Sequence, residues 1–390
     1  MFIDEVKANL NDCIRPFWIG LMDKENGGFY GRKDFDLNLY KDAEKGVILN
    51  SRILWFFSNS YLTLPNEDDI VCANHAYDYL VNHCLDKEYG GVFWSTNYDG
   101  TPLDTTKHTY NQAFAIYALS SYYDASGKQE ALDIAMGIYN LIEEKCTDEF
   151  GYLEAFDRTF QPVENDKLSE NGIIAEKTMN TLLHVFEAYT ELYRVSKDAG
   201  VKEKMIRILD IFAEKVYNPE LKRQDVFFDR EMNNLIDLQS YGHDIETTWL
   251  LDRGVEVLGD KDIAAKITPI TNALTEFVYE LAYKDDSLVN ECENGVVDTT
   301  RIWWVQAESV VGFLNAYQKN PDKTEYLDAA KAIWGYIRDN LVDERPGSEW
   351  FSEVDENKKP TSRKDIVEPW KCPYHNGRMC LEVIRRSKSI

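Results

Sequence analysis

The sequence lacks any apolar run long enough to cross a membrane. Runs such as that from Ile53 to Phe57 are short, whereas a membrane-spanning helix needs about 20 apolar residues. The first segment, MFIDEVKANL, has neither the basic start nor the apolar stretch of a signal peptide. We therefore expect a protein without a membrane partner that acts in the cytoplasm.

Positive charge is also scarce in this chain. The 43 Lys and Arg residues stand against 68 Asp and Glu residues, which gives a formal net charge of −25 at pH 7. A field of that sign repels nucleic-acid phosphates and anionic lipids, whereas a neutral substrate is unaffected by it. The composition therefore predicts no nucleic-acid partner and no membrane partner.

Paired cysteine motifs and linkers are missing as well. The chain has seven cysteines, an odd number, and no two of them form a CxxC pair. Without an export signal, reduced thiols are the expected state. The sequence contains no Pro-, Gly- or Ser-rich linker, so we expect residues 1–390 to form a single catalytic domain.

Aromatic residues, in contrast, are abundant. The chain contains 9 Trp, 23 Tyr and 18 Phe. Core packing explains most of such a set. Sugar-binding clefts also use aromatic rings, because the C–H faces of a pyranose stack on them, so a carbohydrate ligand is consistent with this composition.

A loop sequence recurs along the chain. It reads DKENGGFYG, DKEYGGVFW and DEFGYLEAF in the clear copies, and KDDSLVNEC and DERPGSEWF in the weaker ones. A degenerate copy, NPELKRQDVFFD, fills the one gap. The spacing predicts a repeat architecture with a period of about 65 residues. The six copies begin at Asp23, Asp86, Asp148, Asn218, Lys284 and Asp343.

Helical segments lie between these loops. The segment before a loop is amphipathic, as in KEKMIRILDIFAEKVY (202–217), whereas the segment after it is apolar nearly all round, as in GVILNSRILWFFSNSYL (46–62). A helix that is apolar on all sides is buried on all sides. The pattern predicts twelve helices that alternate between an outer and an inner set. The inner helices should begin near residues 44, 107, 174, 240, 300 and 370.

Six hairpins with buried inner helices favour closure into an all-α (α/α)6 barrel. An open α-solenoid is the alternative, but it would need polar capping faces at both ends, and the sequence shows none. In a closed barrel of antiparallel hairpins the inner helices run parallel to one another. Their N-terminal ends therefore meet at one mouth, and side chains near those ends should line a single cavity.

The predicted starts of the inner helices carry residue types that catalysis uses. Four of the six histidines fall there, while His75 and His83 fall on an amphipathic outer helix, where we expect a packing or solvated role. The convergence of several titratable groups on one mouth favours a functional site. The candidates are Arg52, His108, Tyr110, Asn180, His184, His243, Glu246, Trp249, Trp303, Trp304, Glu308, Trp370 and His375.

Two interpretations of His243 are open from the residues alone. His243, Glu246 and His375 could bind zinc as a His₂Glu set, although HxxE is a weak signal and the nearby Arg52 would repel a dication. Alternatively, Glu246 accepts a hydrogen bond from the His243 ring one turn before it. Such a bond would fix the tautomer and keep the imidazole basic near neutral pH. We expect no metal.

The same groups allow more than one reaction class. Glycosidases use two carboxylates across the scissile bond, and Glu246 and Glu308 could form such a pair. A hydrolase has no need of two histidines at the same mouth, however. Two imidazoles suit removal of a proton from one face of a carbon beside a carbonyl and its return to the other face, with Arg52 holding the enediolate. A carbohydrate-binding barrel without chemistry is the third possibility.

Five stretches of the chain resemble the cellobiose 2-epimerases of the N-acylglucosamine 2-epimerase superfamily. They read GVILNSRILWF, KHTYNQAFAIYALSSYY, GHDIETTWL, RIWWVQAE and PWKCPYHNGRMC, and they are spread from one end of the chain to the other. The resemblance implies an (α/α)6 barrel that reversibly epimerises C2 of the reducing-end glucose of β-1,4-linked disaccharides. Cellobiose would give glucosyl-mannose, and lactose would give epilactose, with no organic cofactor and no metal.

The resemblance leaves the preferred sugar open. Cellobiose- and mannobiose-preferring members share these residues, so a mannobiose-preferring 2-epimerase is an alternative. A monosaccharide aldose–ketose isomerase is another, since it forms the same enediolate and returns the proton at C1. We expect a disaccharide substrate and a monomer.

The resemblance also assigns roles to individual residues. His375 would take the C2 proton of the glucose epimer, His243 would act on the opposite face, and Glu246 would support His243. The other matched positions are Arg52, Tyr110 and Asn180, which would hold the opened sugar; His184, connected with ring opening; Trp304 and Trp370, which would stack on the sugar rings; and Trp249, Trp303 and Glu308, whose roles are less defined.

Overall fold

Twelve helices account for most of the described chain, as the repeat predicts. The structure, a computed structural model, describes residues 2–168, 171–360 and 363–389. Within these ranges an inner set and an outer set of helices alternate, and we number each set along the chain. Inner helices 1 to 6 are Val47–Thr63, Thr109–Ser126, Met179–Ser196, Tyr241–Leu258, Trp303–Lys319 and His375–Arg386.

Each inner helix follows an outer helix, and four of the six outer helices include a π-helical turn. No helix in the described ranges is both long and apolar enough to span a bilayer. A 3₁₀ turn, Ser387–Ser389, follows inner helix 6. Outer helices 1 to 6 are Phe2–Asn9 with Leu10–Ile14 and Arg15–Ile19, Glu67–Tyr79 with Leu80–Cys84, Gln129–Lys145, Ala199–Ile211 with Phe212–Val216, Lys261–Leu281, and Thr324–Tyr336 with Ile337–Leu341.

The inner helices form a closed ring. Each packs against the next, and inner helix 6 packs back against inner helix 1, so the open solenoid is excluded. Inner helix 2 is buried at every residue from Thr109 to Tyr122, which leaves it no face for solvent. Outer helix 3 is buried only along one stripe. The fold is therefore the (α/α)6 barrel expected from the sequence.

Short strands connect consecutive repeats at one end of the barrel. The strand before each of inner helices 1 to 5 pairs antiparallel with a strand in the loop of the following repeat. The strands of the described chain are Lys45–Gly46, Ser95–Thr96, Pro102–Asp104, Lys107–His108, Ala155–Phe156, Lys177–Thr178, Tyr217–Asn218, Arg223–Gln224, Phe227–Phe228, Leu238–Ser240, Tyr283–Lys284, Ser287–Leu288, Glu291–Glu293, Val296–Asp298, Arg301–Ile302 and Glu353–Val354.

The Asp of the repeated loop has a structural partner in the clear copies. It pairs with a Lys that lies two residues before the next inner helix, and this fixes the loop to the start of that helix. Both charges are fully buried in the first two repeats, where an unpaired charge would be strongly destabilising. The pairs, measured from Lys Nζ to the carboxylate oxygen, are Lys45–Asp23 at 2.7 Å, Lys107–Asp86 at 3.1 Å and Lys177–Asp148 at 2.7 Å.

The fourth repeat replaces this ion pair with two amides. Asn218 stands at the Asp position, and Gln239 stands two residues before inner helix 4. Gln239 donates from Nε2 to Oδ2 of Asp244 at 3.0 Å, while Asn218 Oδ1 accepts from the backbone of its own turn. Because both charges are replaced together, neither is left buried without a partner. This explains why the fourth copy is degenerate in sequence.

Candidate active site

A cavity of about 270 Å³ opens at the N-terminal ends of the inner helices. We call it the mouth cavity. Every inner helix contributes to its lining, which is the arrangement that parallel inner helices require. Ten of the thirteen candidates predicted from the sequence line it: Arg52, Tyr110, Asn180, His184, His243, Glu246, Trp303, Trp304, Trp370 and His375.

His375 is the first residue of inner helix 6, and a carboxylate holds its ring. Nδ1 lies 2.8 Å from Oε1 of Glu308, and Oε2 of Glu308 accepts a hydrogen bond from Nε1 of Trp249 at 3.0 Å. Burial lowers the pKa of His375 well below its usual range, and the nearby Arg378 lowers it further. The ring is therefore neutral, with Nδ1 protonated towards Glu308 and Nε2 free to accept a proton.

His243 has a different partner from the one predicted. Its Nδ1 lies 2.7 Å from Oγ of Ser240, the residue that caps inner helix 4. Burial lowers the pKa of His243 to about 3, with a smaller contribution from His184. The predicted hydrogen bond from His243 to Glu246 is wrong, because Glu246 accepts a hydrogen bond from Arg378 instead.

The two imidazoles share one aromatic neighbour. The centroid of the Trp304 ring lies 4.7 Å from that of His243 and 5.5 Å from that of His375. Trp303, which is buried, packs edge-on against His375 at 5.4 Å. Trp304 is only partly buried, so one indole contacts both imidazoles and also lines the cavity.

Arg378, which the sequence analysis did not select, lies behind these residues. Its guanidinium donates to Oε1 of Glu308 at 2.7 Å and also to Glu246 and Glu187. Tyr374 donates to Oε2 of Glu187 at 2.5 Å. One buried cation thus connects carboxylates from inner helices 3, 4 and 5.

The zinc hypothesis can be tested against this network. The predicted set is His243, Glu246 and His375, but the ligand atoms that lie within 4.8 Å of one another in the described chain are those of Glu246, Glu308 and His375, without His243. By spacing alone that set would suit a metal ion. The guanidinium of Arg378 already donates to an oxygen of each of these two carboxylates. It supplies the positive charge that a metal would bring, so this residue set does not favour a metal centre.

His184 and Glu187 form a second imidazole–carboxylate pair within inner helix 3. Nδ1 of His184 lies 2.8 Å from Oε2 of Glu187. Burial lowers the pKa of His184, and Glu187 partly opposes that shift. Burial alone would favour the neutral carboxyl, but Arg378 and His184 lower the pKa of Glu187 to about 2. The carboxylate therefore stays ionised and keeps the outward nitrogen of His184 free towards the cavity.

Arg52 is a buried cation with no carboxylate bound to it in the described chain. Its Nη2 donates to the hydroxyl of Tyr110 at 2.7 Å, and its Nη1 donates to the backbone oxygen of Trp370 at 3.3 Å. The guanidinium lies over the rings of Phe114 at 4.2 Å and Tyr374 at 4.6 Å. A charge held by aromatic faces and a phenol keeps its attraction for an anion formed in the cavity.

Trp370 forms the rim on the side of inner helices 1 and 2. Its ring packs against Tyr110 at 5.7 Å and against Trp94 at 5.8 Å, and Lys167 lies over Trp94 at 5.8 Å. Trp370 is only partly buried. This cluster offers aromatic faces to a ring that extends from the cavity towards solvent.

Trp249 and Glu308, two of the candidates predicted from the sequence, are not among the residues that line the mouth cavity. Trp249 is 3% exposed and lies under the guanidinium of Arg378 at 4.8 Å. Glu308 is 1% exposed, and its two oxygens accept hydrogen bonds from Trp249, Arg378 and His375. Both residues hold His375 in place from behind.

The other three histidines pack rather than face the cavity. His108 is buried against Trp94, with ring centroids 4.7 Å apart, and burial lowers its pKa to about 4. It does not line the mouth cavity, so its predicted place there is wrong. His75 bonds through Nε2 to the backbone oxygen of Gly28 at 2.9 Å, and His83 lies within hydrogen-bond distance of a loop carbonyl.

Comparison with known proteins places the chain in a family. A family model described as N-acylglucosamine 2-epimerase (GlcNAc 2-epimerase) matches residues 28–376. The chain belongs to this family. It is 50% identical to the cellobiose 2-epimerase of Ruminococcus albus over 390 residues, which covers 100% of both proteins.

Solved structures of related epimerases have the same fold. A sugar epimerase from a ruminal bacterium matches with a TM-score of 0.98 at 49% identity, and the cellobiose 2-epimerase from Bacillus thermoamylovorans B4167 matches with a TM-score of 0.96 at 45% identity. Each match covers 99% of both chains. The present family member is therefore a carbohydrate epimerase, which is an isomerase.

The glycosidase alternative does not fit this member of the family. The two carboxylates proposed for it, Glu246 and Glu308, lie side by side on Arg378, and their nearest ligand oxygens are within 4.8 Å. A glycosidase places its carboxylates on opposite sides of the bond that it cleaves. Here only Glu246 reaches the cavity.

Sequence reasoning missed the residues behind the cavity. Glu187 and Arg378 each follow a selected histidine by three residues, in HVFE and HNGR, so the i, i+3 rule could have found them. Ser240 precedes His243 by three residues and is an N-cap type. The loop residues of the lining carry no such signal: Lys167, Leu168, Val226, Phe227, Ile302, Ser352, Lys364, Glu368 and Lys371.

Proposed function

We propose that the protein reversibly epimerises C2 of the reducing-end glucose of β-1,4-linked disaccharides. Cellobiose would give glucosyl-mannose, and lactose would give epilactose. The observation that carries the proposal is a pair of neutral imidazoles, His243 and His375, against one indole in a cavity that also contains the uncompensated cation Arg52. Relatives named cellobiose 2-epimerases at up to 50% identity support this substrate class.

The first chemical step is removal of the C2 proton from the opened sugar. Nε2 of His375 accepts the proton, and the electrons of the C2–H bond form the C1=C2 double bond of an enediolate. The resulting charge on O1 is stabilised by Arg52 and the hydroxyl of Tyr110, which are already hydrogen-bonded to each other. Glu308 stabilises the imidazolium through Nδ1.

The second step returns a proton to the opposite face of C2. His243 supplies it as an imidazolium that has taken its proton from solvent, and it returns to the neutral form. The electrons of the C1=C2 double bond form the new C2–H bond, the charge on O1 restores the C1 carbonyl, and His375 releases its proton to solvent. Burial alone keeps His243 neutral, but an enediolate anion beside the ring favours its protonated form. Oγ of Ser240 can accept or donate, so it serves both protonation states of the ring. The reverse reaction exchanges the roles of the two imidazoles.

Ring opening and sugar binding use the remaining lining. His184 faces the cavity with its free nitrogen and is suited to move the proton between O1 and O5 during ring opening. Asn180 has a buried Oδ1 without a hydrogen-bond partner, available to a sugar hydroxyl. Trp304 and Trp370 offer faces to the two sugar rings. We propose that one domain and one copy of the chain carry out the reaction without a cofactor; a cytoplasmic location stays a sequence-based prediction.

Epimerisation in D₂O tests the mechanism. Cellobiose should give glucosyl-mannose with deuterium at C2, because the returned proton comes from a group that exchanges with solvent. Epimerised product without deuterium would contradict proton transfer at C2. Lactose, mannobiose, glucose, mannose and N-acetylmannosamine should be assayed in parallel by chromatography, with fructose from mannose indicating the isomerase and free glucose from cellobiose indicating a hydrolase.

A further inference from the structure

Glu246 has one oxygen without a hydrogen-bond partner among the residues that the structure describes. Its Oε1 accepts from Arg378, which lies behind the cavity, whereas its Oε2 is buried and has no hydrogen-bond partner. Glu246 is also part of the cavity lining. Glu246 thus belongs to the cavity lining, and one of its two oxygens has unused hydrogen-bonding capacity.

The buried charges around this carboxyl do not balance if all groups are ionised. Glu187, Glu246 and Glu308 surround the single guanidinium of Arg378, and Arg52 is a second buried cation. The buried Lys371 of the lining is paired with the buried Glu349, so this pair adds no net charge. The histidines of the cavity are neutral, as burial dictates. Three anions against two cations leave one excess negative charge, and adjacent buried carboxylates do not both ionise readily.

Hydrogen bonding decides which carboxyl holds the extra proton. Glu308 accepts from Trp249, Arg378 and the Nδ1–H of His375, a set of donors that favours its anion. Glu187 has an equally full set. Glu246 accepts only from Arg378, so its anion is the least stabilised of the three.

We propose that Glu246 is a neutral carboxylic acid that donates a hydrogen bond from Oε2 to an oxygen of the opened sugar and its enediolate. This inference rests on the proposed C2 epimerisation. A neutral acid held in an apolar site can stabilise an oxyanion without adding negative charge beside it. An ionised Glu246 would instead repel the enediolate that Arg52 attracts.

The titration of Glu246 is consistent with that state. Burial raises its pKa to about 8, the neighbouring Glu308 raises it as well, and Arg378 opposes both. Burial also raises the pKa of Glu308, and the pair shares one proton that the donors place on Glu246. The charged and titratable groups around Glu246 are Arg52, Tyr110, His184, Glu187, His243, Glu308, Tyr374, His375 and Arg378.

Infrared spectroscopy of the ligand-free protein tests the protonation state without turnover. Wild type should lose a carboxylic-acid C=O band as the pH rises through about 8, and Glu246→Gln should lack that change. The variant is needed for assignment, because burial also raises the pKa of Glu154 to about 7 and that of Asp244 to about 6. In Glu308→Gln, removal of the like charge should move the transition to lower pH. An identical titration in wild type and Glu246→Gln would overturn the proposal.

Kinetics then test the hydrogen bond to substrate. Glu246→Gln keeps an N–H donor, so its kcat/KM for cellobiose should fall by less than about 10-fold. In wild type kcat/KM should decline above about pH 8 as the carboxyl ionises, and in the variant it should not. Glu246→Ala should lose about 100-fold or more. Equal losses in the two variants, with both folded by circular dichroism, would refute the donor role. Absence of any epimerisation in wild type would refute the proposed function but not the neutral state of Glu246, because the infrared measurement does not depend on turnover.

Discussion

The surroundings of His243 and His375 differ although both rings touch the same indole. A carboxylate that belongs to a network of buried ions holds His375, and a serine hydroxyl holds His243. Glu308 can stabilise an imidazolium, whereas Ser240 has no charge and serves either protonation state. We infer that His375 is the specialised base of the site and that His243 changes its state more freely.

Replacement of either imidazole should give the largest effect. His375→Asn and His243→Asn should each lower the epimerisation rate by about 10² to 10⁴-fold, as expected for a positioned acid or base. In D₂O, His375→Asn should still exchange the C2 proton of glucosyl-mannose, and His243→Asn should exchange that of cellobiose. Nuclear magnetic resonance of each recovered sugar measures this.

The exchange pattern is the discriminating part of that experiment. Each variant keeps one imidazole, which faces only one side of C2, so exchange should be confined to one epimer. Exchange of both epimers by both variants would show that one histidine serves both faces. The double variant should exchange neither and provides the background.

Removal of Arg378, the cation behind His375, should give the next largest effect. Arg378→Met leaves Glu187, Glu246 and Glu308 without their guanidinium, and the free energy of unfolding should fall by about 3–5 kcal/mol. Lys319→Met is the matched control, since Lys319 lies at the other end of the barrel and is partly exposed with Asp252; it should change stability by less than about 1 kcal/mol. Urea denaturation measures both, and equal losses would argue against the network.

Removal of the side chain that is hydrogen-bonded to each imidazole should lower kcat/KM to different extents. Glu308→Gln keeps an acceptor for Nδ1 of His375 but loses the charge that stabilises the imidazolium, so kcat/KM should fall by about 100-fold. Ser240→Ala should cost less than about 10-fold, because water can take the place of the hydroxyl. If Ser240→Ala were the more damaging change, the assignment of His375 as the specialised base would be reversed.

For each pH unit, acidification should give the smallest effect, a decrease in stability. The pKa of His243 is about 3 in the folded state and near 6.5 when unfolded, so the unfolded chain binds a proton first as the pH falls. Stability should therefore decrease below about pH 6.5, by up to about 1.4 kcal/mol per pH unit for this residue. His243→Asn should flatten that decrease in urea denaturation at a series of pH values, and an unchanged slope would contradict the burial of a neutral ring.

The barrel could be predicted well from the sequence because the pattern of a helical hairpin occurs six times along the chain. The predicted inner-helix starts near 240, 300 and 370 correspond to observed starts at Tyr241, Trp303 and His375. Burial of the inner helices follows from local composition, and the common mouth follows from topology. None of these depends on the partner that a given side chain selects.

Sequence reasoning failed to predict which side chains are hydrogen-bonded to each other. The i, i+3 rule is correct for His184 and Glu187 but wrong for His243 and Glu246, although the spacing is the same. The difference is Arg378, which comes from another helix and attracts Glu246 towards the barrel axis. Such competition between helices is fixed by the closed ring and has no local signal in the sequence.

The position of Arg378 has a consequence for how the chain reaches its active form. Its partners Glu308, Glu246 and Glu187 precede it by 70, 132 and 191 residues. Contacts of such high sequence separation form late, because loop closure has to precede them. During synthesis the three carboxylates are made well before their cation, and inner helix 1, Val47–Thr63, is made earlier still than its partner His375–Arg386. The barrel therefore closes and the active site forms in the same last step of folding. A chain arrested before inner helix 6 would have no catalytic activity.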